Sequence, residues 1–170
     1  MSRKQFALLL VVVSLLSVYS LTIAQSNSED ENLEANKEIV NNFVAALNSH
    51  DLDNLDELLS ADYQEHNPFA PEFPPGPETF KAIAGGILAA FPDVEVTIDY
   101  MVAEGELVVT RHTVVATHEG DFNGVPATGN EVTWTELHMF RIEDDQIAEH
   151  WAELNVIGIL QQIGAFPAPE

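Results

Sequence analysis

From Pro92 onward the chain alternates apolar and polar residues at every second position, in successive segments separated by turn residues. Val94, Val96, Ile98, Tyr100 and Val102 alternate with Glu95, Thr97, Asp99 and Met101. Leu107 to His118 is long and rich in β-branched residues, and Val132 to Ile142 and Gln146 to Val156 follow. Side chains of a strand point alternately to opposite faces, so this period commits the second half of the chain to a sheet with one apolar face. Glu104-Gly105 and Glu143-Asp144-Asp145 are too short for crossovers and make their neighbours antiparallel. Gly120 to Asn130, with three glycines and one proline, reads as a loop with a short edge strand.

Ahead of the sheet the period is helical. Leu33, Ile39, Val40, Phe43, Val44 and Leu47 form one stripe, interrupted by Asn36, and Asn48-Ser49-His50 stops it. Asp51 offers a cap for a short second helix carrying Leu52, Leu55, Leu58 and Leu59. "NPFAPEFPPGP", residues 67–77, lacks the donors a ladder needs and reads as a loop that can rim a cavity. A third helix runs from Glu78 to Phe91. Gly85-Gly86 inside it weakens the helix and predicts a close approach by another element. Ile157 to Ile163 closes the chain as a helical turn. Helices followed by antiparallel strands make an α+β domain over residues 33–165, with a tail at 166–170. If the sheet bends into a cone, its concave face holds a pocket.

Residues 1–24 are a different kind of sequence. Arg3 and Lys4 precede a nearly uninterrupted apolar run from Phe6 to Ala24, and Thr22-Ile23-Ala24 places small residues before a cut at Gln25. This is the pattern of a secretory signal peptide, with an uncleaved membrane anchor as the alternative. The expectation is a secreted or periplasmic protein with a flexible acidic leader at 25–32. After cleavage four basic residues face 28 acidic ones, a net charge near −24. Such a chain repels nucleic acid and anionic lipid. It has no cysteine, which excludes disulfides, thiolate nucleophiles and thiolate metal sites.

Several segments together resemble a known family: "FVAALNSHDLDNLDELLSADYQEHNP", "FPDVEVTIDYMVAEGELVVTRHTVVATHEGDFNGVPATG" and "VTWTELHMFRIEDDQIAEHWAELN". The most specific pieces are Tyr63-Gln64-Glu65-His66-Asn67-Pro68, Thr117-His118-Glu119-Gly120, Pro126-Ala127-Thr128-Gly129 and Phe140-Arg141-Ile142 with Glu149-His150-Trp151. They resemble the SnoaL-like polyketide cyclase (ester cyclase) branch of the NTF2-like superfamily. The resemblance implies three N-terminal helices packed on a strongly curved antiparallel sheet enclosing a pocket. It also implies a cofactor-free, metal-free ring closure by intramolecular aldol condensation, and a homodimer. In that family an aspartate on the last strand works as general acid and base. Its position falls after the His-Trp pair and is Ala152 here. The family's pocket glutamine and histidine match Glu136 and His138.

Trp134, Glu136, His138 and Phe140 share one face of a strand, and His150 lies across from them if the strands pair in the family register. An acid and an imidazole about 7 Å apart along a strand suit a proton-transfer couple; a structural hydrogen bond is the plainer reading. The expected catalytic residues are His138, Glu136 and His150. Tyr63 or Asn67 would stabilise an enolate oxygen. His66 and Asn67 would either form a turn or bond at the cavity mouth. Arg111 would either pair with an acid or anchor an acidic ligand, and His112 would line the substrate site with Trp134 and Phe140. No short metal motif is present, and there is no G-x-S-x-G. The function that follows is general acid/base chemistry on a small apolar or polyketide-like carbonyl compound, of cyclase or isomerase type. The alternative is a secreted module that binds such a molecule without chemistry.

Overall fold

The computed structural model describes residues 29–66 and 74–166. The expected signal peptide, the leader up to residue 28, Asn67 and the end of the tail lie outside the described residues. Helix α1 covers 29–48. A 3-10 turn, Leu52–Leu55, leads into strand β1, Leu59–Glu65, and helix α2 is Pro77–Ala90. The main sheet follows as β2 (Glu95–Glu104), β3 (Leu107–Thr117), β4 (Glu131–Glu143) and β5 (Gln146–Leu154), closed by helix α3, Val156–Gln162. The sheet order is β1-β5-β4-β3-β2.

The α+β layout with helices covering a curved sheet is as the sequence implies. Two details differ. The second helix is only the 3-10 turn, capped by Asp51 through its bond to the Asp53 amide. Leu59 then opens a strand instead of closing a helix, and this strand pairs parallel with β5, while the other strand pairs are antiparallel. In β2 a bulge between Ile98 and Tyr100 inserts one residue and flips the alternation. Met101 and Ala103 therefore pack on the core, while Tyr100 and Val102 are 72% and 64% exposed.

The helices dock by aromatic packing. Phe43 of α1 lies 5.0 Å from Phe80 of α2 and 5.4 Å from Phe140 of β4. At the end of α1 the Asn48 amide exchanges two 2.9 Å bonds with the Val96 backbone. That contact also satisfies part of the free edge of β2. The expected close approach at Gly85-Gly86 is absent: a Cβ at Gly85 would meet Leu52 Cδ1 at 3.9 Å, and one at Gly86 would meet nothing within 4 Å. Contact of that kind occurs instead at Gly120, where the loop after β3 lies against the end of α2. The amides of Glu119 and Gly120 both donate to the Ala90 carbonyl at 3.0 Å.

Two apolar clusters result. One gathers Phe43, Tyr63, Phe80, Val108, Phe140 and Ile147; the other gathers Phe91, Val114, Val132, Trp134, Ile159 and Ile163. The inner face of the sheet between them carries polar side chains and faces a cavity.

Candidate active site

The sheet register places the polar groups. His138 sits opposite Thr110 on one side and Ala152 on the other, and Glu136 sits opposite His112. His150 pairs with Phe140 on β4 and with Glu65 on β1. Of these, Glu65, Glu136, His138, His150 and Ala152 line a cavity of about 420 Å³ beneath α1 and α2. Its walls are mostly aliphatic, including Leu47, Ile83, Leu88 and Val96. The floor carries Trp134, Glu136, His138, His150 and Glu65.

The floor residues form one hydrogen-bonded chain. Trp134 Nε1 donates to Glu136 Oε1 at 2.7 Å, and Glu136 Oε2 lies 2.8 Å from His138 Nε2. His138 Nδ1 lies 2.8 Å from His150 Nε2, and His150 Nδ1 lies 2.9 Å from Glu65 Oε2. Tyr63 donates its hydroxyl to the same Glu65 oxygen at 2.5 Å. A buried indole N–H needs an acceptor, and Glu136 supplies it. This explains an acid beside a tryptophan on an inward face.

Burial opposes the charge on Glu136, but the hydrogen bond and charge of His138, with the Trp134 donor, outweigh it and hold the carboxyl below its usual range. Burial pushes His150 down, partly offset by Glu65. His112, stacked 4.5 Å from His138, is lowered to about 4 by burial and then by the neighbouring His138. Burial, with the Glu65 carboxylate, pushes the Tyr63 hydroxyl far up and keeps it a donor.

His112 and His150 thus stay neutral where the unfolded chain would protonate them, so the unfolded state binds more protons below pH 6.5. Stability falls as pH drops from about 6.5 toward 4, by up to ~3 kcal/mol from His112 alone. Urea midpoints across that range check this, and His112→Gln flattens the slope.

The ligand atoms of His112, Glu136 and His138 lie within 4.8 Å of one another. The His112 and His138 rings are inclined by only 28° and stack instead of converging on a common point. The Glu136–His138 contact is a hydrogen bond, which puts a hydrogen where a metal would need a lone pair. The donor set as arranged does not fit a metal ion.

Other expected site residues lie elsewhere. Arg111 is on the outer face and pairs with Asp99, as the acid-pairing reading expects. His66 bonds Glu149 at 2.7 Å and stacks on Trp151 outside the cavity. Phe140 is fully buried between Phe43 and His150. Tyr63 is fully buried and spends its hydroxyl on Glu65, which leaves it unable to serve an enolate. His112 is buried behind His138. Glu65 was not singled out from the sequence, because its segment reads as a helix exit. Read as a strand, Tyr63 and Glu65 share parity, and that signal would have found it.

Comparisons with known proteins place the family. The family model for SnoaL-like polyketide cyclases matches residues 37–163. Aklanonic acid methyl ester cyclase DnrD of Streptomyces peucetius is 30% identical over 139 residues, spanning 78% of this chain and 94% of that protein. Nogalonic acid methyl ester cyclase of Streptomyces nogalater is 27% identical over 124 residues, 71% of this chain and 91% of that one. Among solved structures, AclR from Streptomyces galilaeus superposes with a TM-score of 0.74 at 30% identity, covering 81% of this chain and 86% of its own. An apolar hollow with an acid–imidazole floor, on this topology and with these relatives, means that the chain belongs to the SnoaL-like polyketide cyclase family.

Proposed function

We propose that this chain closes a ring in a small polyketide-type methyl ester by general acid–base catalysis. The observation that carries the reading is the Glu136–His138 hydrogen bond on the floor of an aliphatic cavity. Both ring nitrogens of His138 are engaged, so the Glu136 carboxylate, kept ionised by that contact, has the lone pairs to accept a proton beside a carbonyl. His138 orients it. The relatives named above act on aklanonic and nogalonic acid methyl esters, so these are the substrates to offer. An aldol closure yields a product of the same mass and a different retention time, which liquid chromatography with mass detection reads directly. Ala152, facing the cavity opposite His138, favours a second reading, a binding module. Ester that is bound and returned unchanged supports that one.

The same proposal includes export and self-association. The apolar run at residues 6–24 supports cleavage before Gln25. On the outer sheet face Val102, Val109, Met139 and Trp151 lie in one register row, with Tyr100, Arg111 and Leu137 beside it. Leu137 is 54% exposed. A patch of this kind is suited to a second copy of the chain. Native mass spectrometry of protein from its own host is expected to give a dimer of chains starting at Gln25, and Leu137→Arg is expected to give monomer. A monomeric wild type, or an intact N-terminus, removes the corresponding part.

A further inference from the structure

Glu65 is the buried titratable group that the reaction above leaves unused. Its side chain is 0% exposed, so it can act only through the groups it bonds. Those bonds converge on Oε2, which takes the Tyr63 hydroxyl at 2.5 Å and His150 Nδ1 at 2.9 Å, while Oε1 has no partner among the described residues. An ionised carboxylate only accepts, so His150 gives its Nδ1 hydrogen to Glu65. Burial opposes charge on His150, which leaves it one hydrogen to give and a lone pair on Nε2. His138 Nδ1 lies 2.8 Å from that nitrogen and must donate to it. Glu136, ionised at the other end, takes the hydrogen of His138 Nε2. Carboxylates at the two ends of the chain thus fix every hydrogen between them. The opposite choice, with the His150 hydrogen on Nε2, would set the Nδ1 lone pair against the Glu65 carboxylate. The other rings packed on His150 are Phe140 at 4.8 Å, Phe80 at 5.6 Å and Phe43 at 6.3 Å, and none of them offers a hydrogen bond.

We propose that Glu65 is a positioning residue: it holds the hydrogen of His150 on Nδ1 and thereby makes His138 a donor at both ring nitrogens. The consequence for turnover rests on the acid–base reading of the cavity, and the proton arrangement rests on the hydrogen bonds alone. Glu65 itself exchanges no proton during the reaction. A His138 that donates twice has no lone pair, so it cannot be the base. It stands as an imidazolium beside Glu136, and that charge, with the hydrogen bond, keeps the Glu136 carboxyl ionised against burial. The titratable group facing the couple from β3 is His112, stacked 4.5 Å from His138, and burial keeps it neutral. Glu65 therefore decides, through two histidines, which member of the Glu136–His138 couple accepts the substrate proton.

The resting protein gives the first test and needs no substrate. Long-range proton–nitrogen spectra of histidine-labelled wild type at neutral pH are expected to show His150 with hydrogen on Nδ1 alone and His138 with hydrogen on both nitrogens. Hydrogen on His150 Nε2 overturns the proposal. The second test is the double variant Tyr63→Phe with Glu65→Leu, which removes both partners of one buried hydrogen bond together and so strands neither. His150 Nδ1 then loses its acceptor. Its hydrogen is expected to move to Nε2, leaving His138 with hydrogen on Nε2 alone. Tyr63→Phe by itself keeps the carboxylate and is expected to leave the His150 hydrogen where it is in wild type. With aklanonic acid methyl ester as probe, the double variant is expected to lower kcat about 10–100-fold, the usual range for losing an orienting partner, with KM close to wild type. The acid limb of its kcat–pH profile is expected to move to higher pH, because Glu136 has lost a charged neighbour. An unmoved His150 hydrogen or an unmoved acid limb in the double variant overturns the proposal, since packing loss alone shifts neither. A wild type that leaves the ester unconverted removes the cyclase reading, and the two sets of spectra still decide the proton arrangement.

Discussion

Gly120→Ala is expected to destabilise the protein by about 3 kcal/mol or more. A Cβ there would stand 2.0 Å from the Ala89 carbonyl oxygen, 2.9 Å from its carbon and 3.0 Å from Ala90 Cα. All three are backbone atoms, so no side-chain rotation relieves the overlap. The loop must pull away from α2, and the two hydrogen bonds to the Ala90 carbonyl weaken with it. Those bonds hold the end of α2 against the β3 exit, beside the Phe91–Trp134 contact at 5.4 Å. Urea unfolding followed by tryptophan fluorescence measures the loss. Gly86→Ala is the control: nothing lies within 4 Å, and the change is expected to stabilise by about 0.5–1 kcal/mol through helix propensity alone. Equal midpoints for the two variants would mean that the tight approach at Gly120 has no energetic weight.

His138→Ala is expected to lower kcat on a converted ester by about 10³-fold, within the usual range for losing an acid–base partner. Truncation removes the donor to Glu136 Oε2 and, with it, the hydrogen-bonded link between Glu136 and His150. It also has a signature that packing loss alone lacks. The His138 hydrogen bond and charge hold Glu136 low against burial. Without them burial wins, the Glu136 carboxyl rises, and the acid limb of the kcat–pH profile moves to higher pH. An unmoved acid limb would show that Glu136 is not the group whose ionisation sets the rate. Binding of the ester is expected to persist, since the aliphatic walls are untouched.

Strand periodicity carried most of the fold, because β3, β4 and β5 are long, alternate cleanly and are separated by turn residues. It failed at β2, where one inserted residue reverses the faces and no propensity marks the bulge. It failed also at Leu59–Glu65. Leu52, Leu55, Leu58 and Leu59 run into that segment at near-helical spacing, and its strand character comes from its long-range partner β5. The β4 part of the site was legible, since Trp134, Glu136 and His138 share one strand parity. His150 needed only the register of an adjacent hairpin. Glu65 was hidden because its partner lies 85 residues away. Arg111 and His66 were chosen for their chemistry, and chemistry does not reveal which face a side chain takes. For Arg111, the neighbouring bulge residue Asp99 decided it.

The parallel seam between β1 and β5 has a kinetic consequence. It joins segments that leave the ribosome far apart in time, and loops of that length close late. The Glu65–His150 contact therefore completes only after the hairpins have formed. A chain stalled before that step would own every side chain of the floor and still be inert, so gain of activity during refolding is expected to lag behind gain of sheet signal.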